Sequence, residues 1–304
     1  MQLAARRDLL SGLVVGAALM VGAALLVVVL ASRPAEAAFP GNNGKIAFAS
    51  DRDGQTTNDL YSMRPNGTGV LRLTTTGLVE DSDWHPRGTR IAFSDQDINV
   101  ARPDGTILAT VNHPSNGAKD LSPAWSPDGR WIAFSGVRPL GGSDRDIYAV
   151  RPDGTGLKVL TNNTIQEGLN LDWSSSGKIV FSRGGDLYTM NGNNGLGQKL
   201  VTGDDNSTAD SPEWSPDGGR IAYYRSAEIW TMNADGSGKA LLSSEGLIAD
   251  SPSWSPDGTK IAFQSRPISG DYEIYTVPAN GGAVTQLTNN NFDDTAPAWQ
   301  PIIP

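Results

Sequence analysis

One pattern recurs six times after residue 38 and constrains the fold more than any other feature of this chain. Each copy contains a segment of the type Ile-Ala-Phe, which begins at Ile46, Ile91, Ile132, Ile179, Ile221 and Ile261. A tryptophan recurs in step with these segments, at Trp84, Trp125, Trp173, Trp214, Trp254 and Trp299. Neighbouring tryptophans are 40 to 48 residues apart. A period of that size indicates a repeat architecture in which every copy is one structural unit.

Each copy has the pattern of four short β-strands. In the copy that begins at Trp125, the segments WSPDGRWIAFS, DIYAVRPDGTG and KVLT follow one another. They are rich in Ile, Val, Tyr and Phe and are bounded by Pro-Asp-Gly, which is typical of antiparallel strands joined by tight turns. In such a turn Pro fixes φ, Asp bonds to its own backbone and Gly adopts the left-handed conformation. Six such copies predict an all-β fold, a six-bladed β-propeller with four-stranded antiparallel blades.

The phase of the repeat predicts how the ring closes. The first copy begins at Gly44 without a tryptophan strand before it, and Trp299 is followed only by QPIIP. We therefore expect the C-terminal strand around Ala298 and Trp299 to complete the first blade. This closure would cover two sheet edges that would otherwise invite aggregation.

Three of these strings also resemble a known family. WSPDGRWIAFS, WSPDGGRIAYY and WSPDGTKIAFQS are similar to the TolB-like (WD40-like) β-propeller repeat, and the resemblance covers residues 44 to 301. It implies that strand direction alternates within a blade, so that alternate loops share one face of the propeller. TolB itself carries an α/β domain before its propeller, whereas strand signals here begin soon after Pro40. The resemblance is therefore to the propeller without that N-terminal domain.

Residues 1–38 form a separate segment, and residues 39–304 form the predicted propeller. Residues 9–31 carry no charge, follow Arg6 and Arg7, and precede a small-residue run with Ala35 and Ala37 at an A-x-A site. This pattern predicts a hydrophobic helix that is either a cleaved signal peptide or a retained membrane anchor. Both alternatives place the propeller outside the cytoplasm, as a periplasmic, secreted or envelope-anchored protein.

Composition excludes several kinds of chemistry. The chain has no Cys, two His and a formal net charge of -9. The lack of Cys excludes disulfides, thiol catalysis and Cys-based metal sites. The negative net charge indicates that the chain binds nucleic acid poorly. No G-x-S-x-G motif occurs, so a serine hydrolase elbow is absent. We predict no catalytic residues and no cofactor, although a divalent cation such as calcium in the acidic loops stays open.

The repeated aromatic and acidic residues have structural interpretations. The six repeat tryptophans occupy one fixed place beside a Pro-Asp-Gly turn, so we expect them to pack between neighbouring blades. An acid also precedes the third strand of every copy, at Asp59, Asp97, Asp146, Asp186, Glu228 and Glu273. Because it recurs in every blade, we expect it to stabilise the turns rather than to catalyse a reaction.

The acidic excess of the chain concentrates in the loops that lead from one blade to the next. These loops hold twelve acidic residues and one basic residue, Lys119. We predict that they surround one mouth of the central channel and bind a partner through Glu80, Asp81, Asp120, Asp204, Asp205, Asp210, Asp250, Asp293 and Asp294. The opposite face, which carries the Pro-Asp-Gly turns, is predicted to be basic.

These observations predict an exported, non-enzymatic and monomeric scaffold that binds a protein or peptide with a basic segment. If the N-terminal segment is not cleaved, it would also attach the protein to a membrane. Two alternatives stay open. The mouth carboxylates could serve a glycan- or peptide-processing lyase or hydrolase, since paired carboxylates suffice for glycoside cleavage. They could also support binding that depends on a divalent cation.

Overall fold

The computed structural model describes residues 40–54, 57–111, 113, 118–137, 144–162, 167–203, 207–243 and 248–303. The chain divides into two units, residues 1–33 and 34–304, and the described residues all belong to the second. The predicted signal peptide or anchor at residues 1–38 lies outside the described residues. Within the part of the chain that is described, no helix has the length and apolar character needed to cross a membrane.

Within the described residues, twenty-four strands form six four-stranded antiparallel sheets, which are the six predicted blades. Blade 1 contains β1 (Asn42–Ser50), β2 (Asp59–Met63) and β3 (Leu71–Arg72). Blade 2 contains β4 (Ser82–Trp84), β5 (Ile91–Asp95), β6 (Asp97–Ala101) and β7 (Ile107–Val111). Blade 3 contains β8 (Leu121–Trp125), β9 (Ile132–Val137), β10 (Arg145–Val150) and β11 (Lys158–Val159).

The remaining blades repeat this order. Blade 4 contains β12 (Glu167–Trp173), β13 (Lys178–Arg183), β14 (Asp186–Asn191) and β15 (Lys199–Leu200). Blade 5 contains β16 (Ala209–Trp214), β17 (Arg220–Arg225), β18 (Glu228–Asn233) and β19 (Ala240–Ser243). Blade 6 contains β20 (Ile248–Trp254), β21 (Lys260–Arg266), β22 (Glu273–Pro278) and β23 (Thr285–Gln286).

The last strand, β24 (Asp294–Ile302), closes the ring. It pairs antiparallel with β1, where Ile46 lies opposite Trp299 and Ala47 lies opposite Ala298. The strand order of blade 1 is therefore β24-β1-β2-β3. The innermost strands contact one another in a complete circle, from β4 through β8, β12, β16 and β20 to β24 and back to β4. The predicted closure by the C-terminal strand is confirmed.

Each repeat tryptophan is buried against the blade that precedes its own. Trp214, for example, belongs to blade 5 and packs with Val180 and Leu187 of blade 4. The other five occupy the equivalent clusters, Trp84 between blades 1 and 2, Trp125 between 2 and 3, Trp173 between 3 and 4, Trp254 between 5 and 6, and Trp299 between 6 and 1. An aromatic side chain in this place removes apolar surface of two blades from water at once. The tryptophans therefore join the blades to one another.

The acid at the start of the third strand has a structural partner just after the fourth strand. In blade 3, Thr161 Oγ1 donates to Asp146 Oδ1 at 3.2 Å and accepts the Ile147 N–H at 2.8 Å. Equivalent acid-threonine pairs occur in three other blades, between Asp59 and Thr74, Asp186 and Thr202, and Glu273 and Thr288. In these blades the acid therefore fixes the outermost strand.

Candidate functional site

A channel runs through the centre of the ring of innermost strands. It holds about 100 Å³ of space that water can enter, which is room for several water molecules. Its lining includes Asp81 and Asp83 of blade 2, Asp172 of blade 4 and Glu213 of blade 5. The described residues that line the channel include no Lys, Arg or His. The channel is therefore an acidic environment without a balancing cation in its described wall.

A strained backbone turn shapes one end of this channel. In four innermost strands the residue before a proline has a left-handed φ of 47° to 51°, and these residues are Ser122, Ser211, Ser251 and Ala296. A non-glycine residue in this conformation costs about 1 kcal/mol or more. Two of them are held by the preceding aspartate, since the Ser211 N–H donates to Asp210 Oδ1 at 2.8 Å and the Ser251 N–H donates to Asp250 Oδ1 at 2.6 Å. This explains why Asp-Ser-Pro recurs in the sequence.

The same residues form a chain of hydrogen bonds from blade to blade. Ser122 Oγ donates to Asn170 Oδ1 at 3.0 Å, and Asn170 Nδ2 donates to Ser211 Oγ at 3.1 Å. Ser211 Oγ in turn donates to Asp250 Oδ1 at 2.9 Å. We call the channel opening beside Asp81, Asp210 and Asp250 the acidic end. Asp81 lines it, and Asp210 and Asp250 accept hydrogen bonds from the lining residues Asn170 and Ser211. Its carboxylates hold neighbouring blades together as well as giving this opening its charge.

Three further carboxylates lie deeper in the channel, at the position directly before a repeat tryptophan. Each accepts the backbone N–H of the tryptophan in the next blade. The bonds run from Trp125 N to Asp83 Oδ2 at 2.7 Å, from Trp214 N to Asp172 Oδ2 at 2.7 Å, and from Trp254 N to Glu213 Oε1 at 3.1 Å. These three residues are not among those predicted from the sequence to bind a partner. The signal was present, because an acid directly precedes the repeat tryptophan in three of the six copies.

Burial changes the acidity of the channel carboxylates. Loss of water around the carboxyl raises the pKa of Asp81 and that of Asp172 to about 6, although N–H donors partly oppose the shift. Burial also raises the pKa of Asp83 and Glu213 well above the usual range, and repulsion from Asp172 adds to both shifts. The pKa of Asp250 is raised by burial as well. The negative charge of the channel therefore depends on pH near neutrality.

Two of the predicted partner-binding residues are not at the surface. The side chains of Asp120 and Asp294 have 0% exposure. Asp120 Oδ1 lies 3.1 Å from His113 Nδ1, and Asp294 forms an ion pair with Arg52 Nη2 at 2.7 Å. A carboxylate that is buried in this way cannot touch a partner without leaving its hydrogen-bond partner. We therefore exclude these two from the candidate binding surface.

The other predicted residues divide into three groups. Asp81, Asp210 and Asp250 lie together at the acidic end, as described above. Glu80 is exposed and pairs with Lys119, while Asp293 is partly exposed and its Oδ1 accepts the Tyr272 N–H at 2.7 Å. Asp204 and Asp205 lie outside the described residues. Among the residues that the structure describes, no group of three or more His, Asp or Glu could hold a metal ion, so a calcium site stays a prediction.

A charge-removing substitution at Asp172 tests the acidity of the channel. Blade 6 carries Ser253 at the equivalent position, and its Oγ accepts the Trp299 N–H at 3.3 Å. Asp172→Ser therefore keeps an acceptor for Trp214 and removes one charge. Since the folded-state pKa of about 6 exceeds the unfolded value of about 4, the charged carboxylate lowers the free energy of unfolding as pH rises from about 4 to about 6.

We expect Asp172→Ser to gain stability relative to the wild type when pH is raised from 5 to 7.5. Between these two pH values the upper limit of the gain is about 1.4 kcal/mol, and partial access of water reduces the expected gain to about 0.5–1 kcal/mol, or roughly 1–2 °C in Tm. The measurement is the difference in Tm between variant and wild type across this pH range. If the difference in Tm between variant and wild type stayed constant with pH, the charge of Asp172 would not destabilise the fold.

Comparisons with known proteins agree with this architecture. A model of the TolB beta propeller domain matches residues 108–303. The protein TolB homolog of Chlorobium luteolum is 34% identical over 98 residues, which are 31% of this chain and 22% of that protein, so the match spans about a fifth of its length.

Two solved structures share the fold. TolB from Acinetobacter baumannii has a TM-score of 0.69 at 19% identity, over 85% of this chain and 67% of that one. A putative TolB from Agrobacterium tumefaciens has a TM-score of 0.61 at 19% identity, over 82% of this chain and 90% of that one. Because the family model matches more than half of its residues, the chain belongs to the TolB beta-propeller domain family.

Proposed function

We propose that this chain is an exported, non-enzymatic scaffold that binds a basic segment of a protein or peptide at the acidic end of its channel. The observation that carries the proposal is the set of carboxylates that meet there. Asp81 lines the opening, Asp210 and Asp250 bond to the lining residues Asn170 and Ser211, and Asp83, Asp172 and Glu213 line the channel below. Export rests on the sequence pattern of residues 1–38.

The electrostatics of the channel support a cationic ligand. Closely spaced carboxylates with protein walls around them focus a negative potential at the opening. No Lys, Arg or His lines the described part of the channel. A lysine or arginine side chain inserted from a partner would supply the missing positive charge. It would also lower the mutual repulsion between Asp83, Asp172 and Glu213.

The contacts of the carboxylates favour binding over catalysis. Asp83, Asp172 and Glu213 accept backbone N–H groups of the next blade, so they are fixed structural acceptors. A catalytic carboxylate must instead reach the substrate atom to which it donates or from which it accepts a proton. The raised pKa of Asp81 is the one observation that favours the enzyme alternative, because a pKa of about 6 suits a general acid. Turnover on a glycan panel that is lost in Asp81→Asn would favour that alternative.

Charge variants at the two ends of the propeller test the proposal. The triple variant Asp81→Asn, Asp210→Asn and Asp250→Asn removes charge at the acidic end but keeps an acceptor oxygen at each position. The matched control is Asp104→Asn, Asp217→Asn and Asp235→Asn, which removes the same charge from three Asp-Gly turns at the opposite end of the blades. Asn66 already fills such a turn position in blade 1, where its Oδ1 accepts the Thr68 N–H at 3.2 Å.

We expect the acidic-end triple variant to weaken binding of a fluorescent lysine-rich peptide by about tenfold or more, and the control to change it by less than about twofold. Binding to the wild type should also weaken as pH falls from 7.5 to 5, because Asp81 and Asp172 become protonated near pH 6. Fluorescence anisotropy with the full chain in neutral detergent measures both effects. Equal losses in the two triple variants would refute the acidic end as the binding site.

A further inference from the structure

A second candidate site lies on the Pro-Asp-Gly turns of blades 2 and 3. An open cleft of about 400 Å³ is lined by Arg90, Arg130, Trp131, Arg151, Pro152 and Asp153. We call it the basic cleft. Arg130 and Arg151 lie in the turns that join β8 to β9 and β10 to β11, and Arg90 directly precedes β5. Because alternate strands reverse direction, these turns are at the opposite end of the blades from the acidic end.

Trp131 breaks the symmetry of the repeat at this place. The position directly before the Ile-Ala-Phe segment is basic in the other five blades, where it is Lys45, Arg90, Lys178, Arg220 and Lys260. In blade 5 the base has a structural use, since Arg220 donates to the Ala279 carbonyl at 3.0 Å and to Thr231 Oγ1 at 2.6 Å. The fold therefore accepts a long basic side chain here and does not require an aromatic one.

The indole of Trp131 makes cation–π contacts with two basic side chains at the edge of the cleft. Lys158 Nζ lies 3.5 Å from the ring centroid and Arg151 Cζ lies 5.4 Å from it. Such cation–π contacts are worth about 0.5–2 kcal/mol each. They restrict two flexible side chains and hold their charges beside Arg90 and Arg130. Trp131 itself is only partly buried, so part of the indole stays accessible.

The positive charge of the basic cleft exceeds the negative charge of the described residues that line it, because Asp153 offsets one of three arginines. None of the guanidinium groups of Arg90, Arg130 and Arg151 has an ion pair or a hydrogen bond to another described residue. The one carboxylate in the described lining is Asp153, whose Oδ1 already accepts the Thr155 N–H at 2.9 Å and the Thr155 Oγ1–H at 2.7 Å. Three guanidinium groups therefore line a cleft that holds one acid, and that acid is already engaged.

We propose that the basic cleft binds a phosphate monoester. Guanidinium groups match phosphate oxygens with two parallel hydrogen bonds, and three of them offset the double negative charge of the ester. A cleft of this volume exceeds the size of a phosphate group alone and falls in the range of sites for small organic ligands. The accessible part of Trp131 is placed to contact the organic group. This proposal is independent of the partner site at the acidic end.

Calorimetric titration of the full chain in neutral detergent tests the proposal with glucose 6-phosphate and inorganic phosphate as probes. We expect Arg151→Gln to weaken the binding of both by about tenfold, because a charge-assisted hydrogen-bond pair is lost. The matched control is Arg102→Gln, since Arg102 begins the same Arg-Pro-Asp-Gly turn in blade 2 and does not line the cleft. We expect less than about a twofold change for this control.

Trp131→Lys separates the contribution of the indole from that of charge. The variant introduces the residue type of the other blades, so we expect it to fold, and a thermal melt checks this. It adds a positive charge, so inorganic phosphate should bind as well as before or more tightly. The ratio of the affinity for glucose 6-phosphate to the affinity for inorganic phosphate should fall towards one, because the contact with the organic group is lost.

Three results would overturn the proposal. These are no binding of either probe or of phosphatidic acid at millimolar concentration, equal losses in Arg151→Gln and Arg102→Gln, and an unchanged preference in Trp131→Lys. Vesicles of phosphatidic acid, compared with vesicles of phosphatidylcholine, distinguish a lipid headgroup from a soluble ester, since phosphatidic acid is also a phosphate monoester. Binding to phosphatidic acid that Arg151→Gln abolishes, without binding of glucose 6-phosphate, would support the proposal and assign the ester to a lipid.

Discussion

A chain truncated after Asp293 is expected to lose its cooperative fold. The truncation removes β24, so blade 1 loses its innermost strand and the circle of innermost strands opens between β20 and β4. It also removes Trp299 from the cluster that joins blades 6 and 1, and Asp294 from its ion pair with Arg52. The combined loss is on the order of 10 kcal/mol, which equals the whole stability of a typical protein.

Circular dichroism and a thermal melt measure this result. We expect the truncated chain to show no sharp transition, or a Tm lower by more than roughly 15 °C. The matched control is a chain that ends at Ile302, which keeps all of β24 and should melt like the full chain. A truncation after Asp293 that melts at the wild-type temperature would contradict closure by the C-terminal strand.

Trp214→Ala is expected to cost about 3–5 kcal/mol of unfolding free energy, or roughly 10 °C in Tm. The side chain is 1% exposed and fills the space between Val180 and Leu187 of blade 4 and Ile221 of its own blade. Its removal leaves a cavity that the rigid strands cannot close. The backbone bond from Trp214 to Asp172 stays in place, so the loss measures packing between blades.

Trp230→Tyr is the control for Trp214→Ala. Trp230 lies opposite Tyr223 in its hairpin, where four other blades place Tyr61, Tyr148, Tyr188 and Tyr275 opposite a phenylalanine. A tyrosine is therefore tolerated at this position, and we expect a cost below about 1.5 kcal/mol. If the two variants lowered Tm equally, the tryptophans between blades would have no special part in stability.

The sequence was sufficient to predict the fold, because each repeat carries local signals for its own strands and turns. The strand periodicity, the Pro-Asp-Gly turns and the spacing of the tryptophans each indicate structure within one copy. The closure by β24 followed from the phase of the repeat, since the first copy lacked a tryptophan strand and the last copy had one to spare. Neither inference needed the contacts between distant residues.

The candidate site was only partly predictable, because its properties depend on such contacts. Asp294 is neutralised by Arg52, which lies 242 residues away in sequence, and no local pattern indicates that pair. The sum of charges in the loops located an acidic opening, but it could not separate the buried Asp120 from the exposed Glu80. Asp172 and Glu213 are within strands rather than loops, so a count of loop charges omitted them.

Site-specific photo-crosslinking of the full chain in its native host tests most directly whether a partner contacts the acidic end. A photoreactive residue at Thr208 or Asn291 reports on the loops around the acidic end, and one at Asn193 or Lys260 reports on the opposite turns. We predict that mass spectrometry will find crosslinks from positions 208 and 291 to a Lys- or Arg-rich segment of one protein. These crosslinks should disappear in the triple variant Asp81→Asn, Asp210→Asn and Asp250→Asn. Crosslinks to a partner from positions 193 and 260, with none from 208 and 291, would contradict a contact at the acidic end.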